Sequence, residues 1–224
     1  MKRTVSWVWL ATCAVSALAP AADERSPAKA EPVRIADGKL QIGLDPASGT
    51  LRELVSLPDG YNQLADVPEP LGLWQITVRD GDTSRELTAE RAGPPKIERV
   101  MGDPPGLRLT WDQIVASGKE PLRVEVLVRV GQPAAALSRW ELAVTKPKNV
   151  RLQQVRFPRV PALRERPEEV LAVPRELGAL ARNPRRLTQG KNDEGTRIAW
   201  RYPWVMAMQC LAWYQPDGPG FYAA

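Results

Sequence analysis

Histidine is absent from all 224 residues. That one absence removes histidine-based acid–base catalysis, Ser–His and Cys–His nucleophile pairs, and the usual catalytic zinc centres. Cysteine is scarce as well, with two in the chain, Cys13 and Cys210. Cys13 lies in a leader-like segment, so its removal leaves Cys210 alone and excludes an intramolecular disulfide. Cys210 sits in the apolar run Val205–Leu211 and reads as a buried, inert thiol. No G-x-x-x-x-G-K-[ST] loop is present, and Gly218-Pro219-Gly220 reads as a turn. Asp80-Gly81-Asp82 lacks the ligand spacing of a calcium loop and is also read as a turn. These absences predict no cofactor and no metal.

Long apolar runs are missing too. Thr4–Ala19 spans only 16 uncharged residues, against about 20 for a membrane-crossing helix. Met1-Lys2-Arg3 is basic, Val5–Leu18 is mostly apolar, and Ala19-Pro20-Ala21 supplies small residues for cleavage. This order predicts a cleavable signal peptide over residues 1–21, export to the periplasm or beyond, and no stable membrane span. Lipid attachment at Cys13, in Leu10-Ala11-Thr12-Cys13, is the alternative. Residues 22–32 are polar, proline-bearing and aperiodic, and read as a disordered lead-in.

Without Lys2 and Arg3 the net charge falls from +5 to +3, an ordinary value for an exported domain. Arg182, Arg185, Arg186 and Lys191 form a basic group, while Arg164 and Arg166 lie among Glu165, Glu168 and Glu169. With no nucleic-acid motif beside them, these read as solvated loop charges, and no nucleic-acid partner is expected.

What the chain has in quantity is alternation. Val33 and Ile35, the turn Asp37-Gly38, then Leu40, Ile42 and Leu44 predict a hairpin. Asp45–Gly49 predicts a second turn, Leu51–Leu57 a short strand, and Pro58-Asp59-Gly60 a third turn. Trp74, Ile76 and Val78 alternate with Gln75, Thr77 and Arg79; Leu107, Leu109 and Trp111 alternate with Arg108 and Thr110. Leu122, Val124, Val126, Val128 and Val130 share one face of a long strand, and Ser138, Trp140, Leu142 and Val144 repeat the pattern. Val205–Trp213 is apolar on both faces, so both must be covered. A period of two, frequent turns and 22 prolines leave little room for helix. The fold class is therefore all-β, an antiparallel sandwich in one domain over residues 33–224.

Carboxylates lie in turns (Asp37, Asp45, Asp59, Asp217), on solvent faces (Glu125, Glu141) or in the loop Glu165–Glu169. None stands in surroundings that would raise its pKa, so no catalytic residue is assigned. Six tryptophans remain after residue 21; Trp74, Trp111 and Trp140 occupy apolar phases and are expected in the core. Trp200, Arg201, Tyr202, Trp204 and Gln209 combine flat aromatic faces with planar polar groups, the chemistry that meets sugar rings. These five are the candidate carbohydrate contacts.

From Leu152 onward the chain resembles a known family. A Phe157-Pro158 strand end, Val173-Pro174 leading to Gly178, Tyr202-Pro203, Met208-Gln209 and a closing Gly220-Phe221-Tyr222 strand are similar to the galactose-mutarotase-like β-sandwich. In secreted bacterial glycoside-hydrolase-like proteins this module precedes a catalytic barrel. The family more often has glycine where Trp204 stands. The resemblance implies an N-terminal accessory domain that supports or contacts an oligo- or polysaccharide, with the barrel as its partner beyond Ala224. True aldose mutarotases use histidines, so the resemblance does not imply mutarotase activity here. The rival expectation is a stand-alone secreted or envelope module that binds or supports without catalysing.

Overall fold

A computed structural model describes residues 30–67, 71–115, 121–132, 135–174, 178–188, 210–216, 218 and 220–223. Among the described residues the chain is mostly antiparallel strand with almost no helix, in agreement with the all-β expectation. The helical pieces are one 3-10 turn, Ala89–Arg91, and one short helix, α1 (Pro184–Thr188).

Strands β1 (Val33–Ala36), β2 (Leu40–Leu44), β3 (Leu51–Ser56) and β4 (Tyr61–Asn62) form a simple meander. Its turns are set by short polar side chains. Asp37 Oδ1 accepts the N–H groups of Lys39 at 2.9 Å and Leu40 at 2.7 Å, closing the first hairpin. Asp45 Oδ1 accepts from Ala47 and Ser48 in the second. There Gly49 has φ +70°, and a Cβ on it would lie 2.7 Å from the Trp111 ring. Both the backbone sign and the space demand glycine at this position.

A second sheet joins β5 (Gln75–Asp80), β6 (Thr83–Thr88) and β11 (Val150–Arg156) in the order β11-β5-β6. Strand β11 stops one residue before Phe157-Pro158. The third sheet runs β10-β9-β8-β7, from β7 (Lys96–Val100), β8 (Gly106–Ile114), β9 (Leu122–Gln132) and β10 (Ala135–Thr145).

These three sheets share one core. Ile42 and Leu44 from the first sheet, Ile76 from the second, and Leu107, Leu109 and Val126 from the third are fully buried within it. The first sheet approaches the third directly, through β2 against β9 and β10 and β1 against β9. On β9 every inward residue from Leu122 to Val130 is buried, whereas Arg123 and Arg129 pair or hydrogen-bond on the outer side. Complete burial of each such side chain contributes about 1.5–3 kcal/mol. Trp74 and Trp111 meet edge to face in the middle of the core, 5.6 Å apart at 87°, and Trp111 Nε1 donates to the Gly93 carbonyl at 3.1 Å.

Trp140 differs from the other two strand tryptophans. It is half-buried at the core's rim, with an edge contact to Phe157 at 6.4 Å and its Nε1 donating to Ser138 Oγ at 2.9 Å. Its strand, β10, is an edge of the sheet and is covered less completely than β9.

The fourth sheet, in the order β13-β12-β14-β15, contains β12 (Val170–Val173), β13 (Ala179–Arg182), β14 (Leu211–Tyr214) and β15 (Gly220–Ala223). Phe221 packs against the main core. Of the two-faced strand expected over 205–213, the part described is β14, paired with β12 and β15; residues 205–209 lie outside the described residues. Leu180 and Tyr222 stand exposed at the ends of one cross-sheet row through Ala172 and Ala212.

Candidate functional site

The five sugar contacts read from the sequence, Trp200, Arg201, Tyr202, Trp204 and Gln209, lie outside the described residues, as does Lys191. Two polar constellations do stand within the described part, on either side of the segment from Tyr61 to Val67.

The first is an arginine cluster, and it corrects one expectation. Arg185 is no solvated loop charge. Its Nε and Nη2 grip both oxygens of Glu169 at 2.6 and 2.8 Å, and Nη2 also donates to the Leu163 carbonyl at 3.0 Å. Glu169 is buried, and its Oε1 further accepts the Arg166 N–H at 3.0 Å. Burial beside a carboxylate reverses the ordinary penalty on a cation: the Glu169 bond raises the Arg185 pKa, with desolvation opposing it. Arg185 also lies 5.4 Å from the Trp213 ring on β14. Arg166 stacks 3.9 Å above the Tyr61 ring and donates to Gln63 Oε1. Backbone bonds from Ala65 to Ala162 at 2.8 Å and from Arg164 to Gln63 at 2.7 Å complete the join. The cluster ties the fourth sheet to the first, so its chemistry is structural.

The second constellation is an open cleft of about 240 Å³ between β3, the segment after β4, and the chain around Leu71. Pro32, Leu51, Leu64, Leu71 and Pro161 give it apolar walls, and Thr50, Arg52, Glu53, Asn62 and Asp66 give it polar groups. Most of the polar groups are already committed. Arg52 directs Nε and Nη2 at Asp45 Oδ2, at 3.1 and 2.9 Å. Glu53 takes Arg34 on both oxygens, at 2.8 and 2.9 Å, and Gln41 at 3.1 Å. Asn62 Oδ1 accepts the Leu54 and Leu64 N–H groups, both at 3.1 Å, which braces the cleft wall. Behind Leu71, Glu90 accepts the Gly72 N–H and Arg159 Nη1. A Cβ on Gly72 would lie 2.5 Å from that carboxylate, so only glycine permits this close approach.

Three carboxylates around this region, Asp45, Glu53 and Glu90, are held acidic. Burial pushes Asp45 upward, but hydrogen bonds from Arg52 and the Ala47 N–H outweigh it and leave the group below its ordinary value. The Arg34 bond lowers Glu53 against a smaller burial effect. Glu90 is pushed up by burial and pulled further down by backbone N–H donors, chiefly its own and that of Gly72. Asp66 is exposed and has no hydrogen-bond or ion-pair partner among the described residues.

Sequence reading found Asp45 as a turn residue but missed Arg52 as its partner and Asp66 as a cleft residue. The only local signal for Arg52 was a basic residue opposite the turn on β3, too common a pattern to select it. Asp80 and Asp82 flank a plain turn with Gly81 at φ +55°, and no metal-holding group of acidic or cysteine side chains occurs among the described residues. No helix among them is long and apolar enough to cross a membrane.

The class defined by this geometry is an all-β domain with three sheets around one core, a fourth sheet joined through arginines, and a polar cleft beside β3. No protein-family model matches the chain, and no curated protein matches it.

Proposed function

We propose that the chain is an exported, non-catalytic β-sandwich that supports or extends the sugar-binding cleft of a carbohydrate-active protein, working beside a catalytic barrel. One observation carries the non-catalytic part. The carboxylates Asp45, Glu53, Glu90 and Glu169 are each bonded to an arginine, and the first three are held acidic. A general acid for glycoside hydrolysis needs the opposite, a carboxyl kept protonated by apolar surroundings. The sandwich reading draws support from the first sheet lying against the third across the shared core. The carbohydrate reading rests on the resemblance of the chain from Leu152 onward and on the residue types gathered in the sequence over Trp200–Trp204.

Affinity electrophoresis of the secreted chain through gels containing xylan, galactan, mannan or soluble cellulose derivatives tests the reading. Retardation by at least one polysaccharide, without release of reducing ends, is the expected result. Unretarded migration in every gel, or hydrolysis that disappears on a single Asp or Glu substitution, would overturn it. N-terminal sequencing of the exported form should begin at Ala22, and an intact Met1 in that form would refute cleavage.

A further inference from the structure

Building on the carbohydrate reading, we propose that the cleft beside β3 is a subsite for a neutral, polyhydroxylated ring of monosaccharide size. The volume, about 240 Å³, falls just under the usual ligand-pocket range of about 300–1,000 Å³, the scale of a single ring rather than of a long chain.

Charge selects the ligand class. Arg34 neutralises Glu53, and Asp45 neutralises Arg52, each through paired bonds. Asp66 then leaves the lining with one uncompensated negative charge. Such a cleft disfavours carboxylates and phosphates. Its one uncompensated carboxylate is exposed and screened by solvent, so it has no strong hold on a cation, which leaves an uncharged molecule.

Hydrogen-bonding capacity narrows the class further. Arg52 is fixed by two bonds to the buried Asp45, and its Nη1 has no partner among the described residues. Asp66 offers only acceptors when ionised. The lining therefore presents one pre-oriented donor group and one unoccupied acceptor group. A hydroxyl both accepts and donates, so neighbouring hydroxyls on one ring serve the two groups together. Pro32, Val67 and Leu71, each half-buried, supply apolar surface for the ring's C–H faces, with the buried Leu51 and Leu64 behind them. Glu53 and Asn62, already bonded, hold the wall rigid, so little ordering opposes binding.

The test is a titration of the ¹⁵N-labelled full chain with glucose, galactose, mannose and xylose, and separately with acetate and inorganic phosphate. It follows the Arg52 Nε–H and the Leu64–Asp66 amide signals. At least one sugar should shift these signals saturably, while acetate and phosphate leave them in place. Asp66→Ala, at an exposed position, should weaken that sugar about fivefold, the effect of one hydrogen bond, with an unchanged melting temperature. Arg52→Lys should weaken it similarly. Sugars that leave the cleft signals unmoved while a polysaccharide still retards the chain would overturn the subsite and spare the carbohydrate reading. The subsite also fails if a sugar binds with equal affinity to the parent and to both variants. Saturable cleft binding with no polysaccharide retardation would uphold the subsite and count against the accessory role. Absence of both kinds of binding would refute both proposals.

Discussion

Removing the Glu169 carboxylate should unlatch the fourth sheet. The side chain is 5% exposed and accepts three bonds, two from Arg185 at 2.6 and 2.8 Å and one from the Arg166 N–H at 3.0 Å. Glu169→Ala deprives the Arg185 guanidinium of its carboxylate, leaving it the Leu163 carbonyl, and orphans a backbone donor. Breaking a buried pair from one side costs about 3–5 kcal/mol. Arg185 is itself 26% exposed and can recover some hydration, so about 3 kcal/mol is expected. In a domain of this size that is a fall of roughly 6–12 °C in melting temperature. Urea unfolding followed by tryptophan fluorescence gives the free energy. Hydrogen exchange should show the amides of β12 and β14 losing protection first, while those of β9 keep theirs. The double variant Glu169→Leu/Arg185→Met removes both charges and should recover most of the loss, since the cost lies in the unpaired partner. If Glu169→Ala melts within about 0.5 kcal/mol of the parent, the pair contributes no more than a surface salt bridge and the reasoning fails.

Acid should weaken the fold in a defined window. Asp45, Glu53 and Glu90 have folded pKa values below their ordinary 3.8, 4.5 and 4.5, so their contribution is complete above about pH 4.5 and is lost as pH falls below it. A melting temperature flat from pH 6 to pH 3 would contradict this. Gly49→Ala forces a left-handed φ on alanine and drives its Cβ into Trp111; a loss of about 2–4 kcal/mol in urea unfolding is expected. Trp204→Ala should weaken a polysaccharide roughly tenfold, as for loss of one apolar ring face, with little change in melting. Trp140→Ala should do the reverse, costing about 3 kcal/mol of stability with affinity retained; equal stability losses and no affinity change would make Trp204 a packing residue.

The strands legible in the sequence are those with one face fully buried. Five alternate residues of β9, Leu122 to Val130, are at zero exposure, and that one-sided burial is what a period of two encodes. The hairpin of β1 and β2 was legible for a second reason, since Asp37 and Gly38 carry the turn chemistry in their own side chain and backbone. Strands β6 and β7 escaped notice because both are edges with mostly exposed side chains. Thr83–Thr88 is a strand through its hydrogen bonds to β5 rather than through any apolar face of its own. The polar constellations were the least legible. Gln63 and Arg166 are 103 residues apart in sequence, and nothing local in either stretch points to the other. Reading Arg185 as a solvated loop charge failed for the same reason, because its partner Glu169 lies across the short strand pair β12–β13.

The segment from Tyr61 to Asp66 links the two constellations. Tyr61 and Gln63 meet Arg166, whereas Asn62 and the run Leu64, Ala65 and Asp66 line the cleft. Its backbone is braced by Asn62 on one side and by Ala162 and Arg164 on the other. The residues that meet Arg166 and those that line the cleft are neighbours on one short stretch of backbone, held by the bonds to Ala162 and Arg164, so neither set shifts without the other. The arginine cluster therefore positions the cleft wall as well as the fourth sheet. A buried ion pair is a costly way to gain stability and is better suited to fixing one arrangement among several of similar packing. Here the fixed arrangement is the join between a fourth sheet with few buried apolar residues and a core already closed by the other three. That join sets Leu64 and Asp66 opposite Arg52, and it turns a gap between loops into a cleft with oriented polar groups.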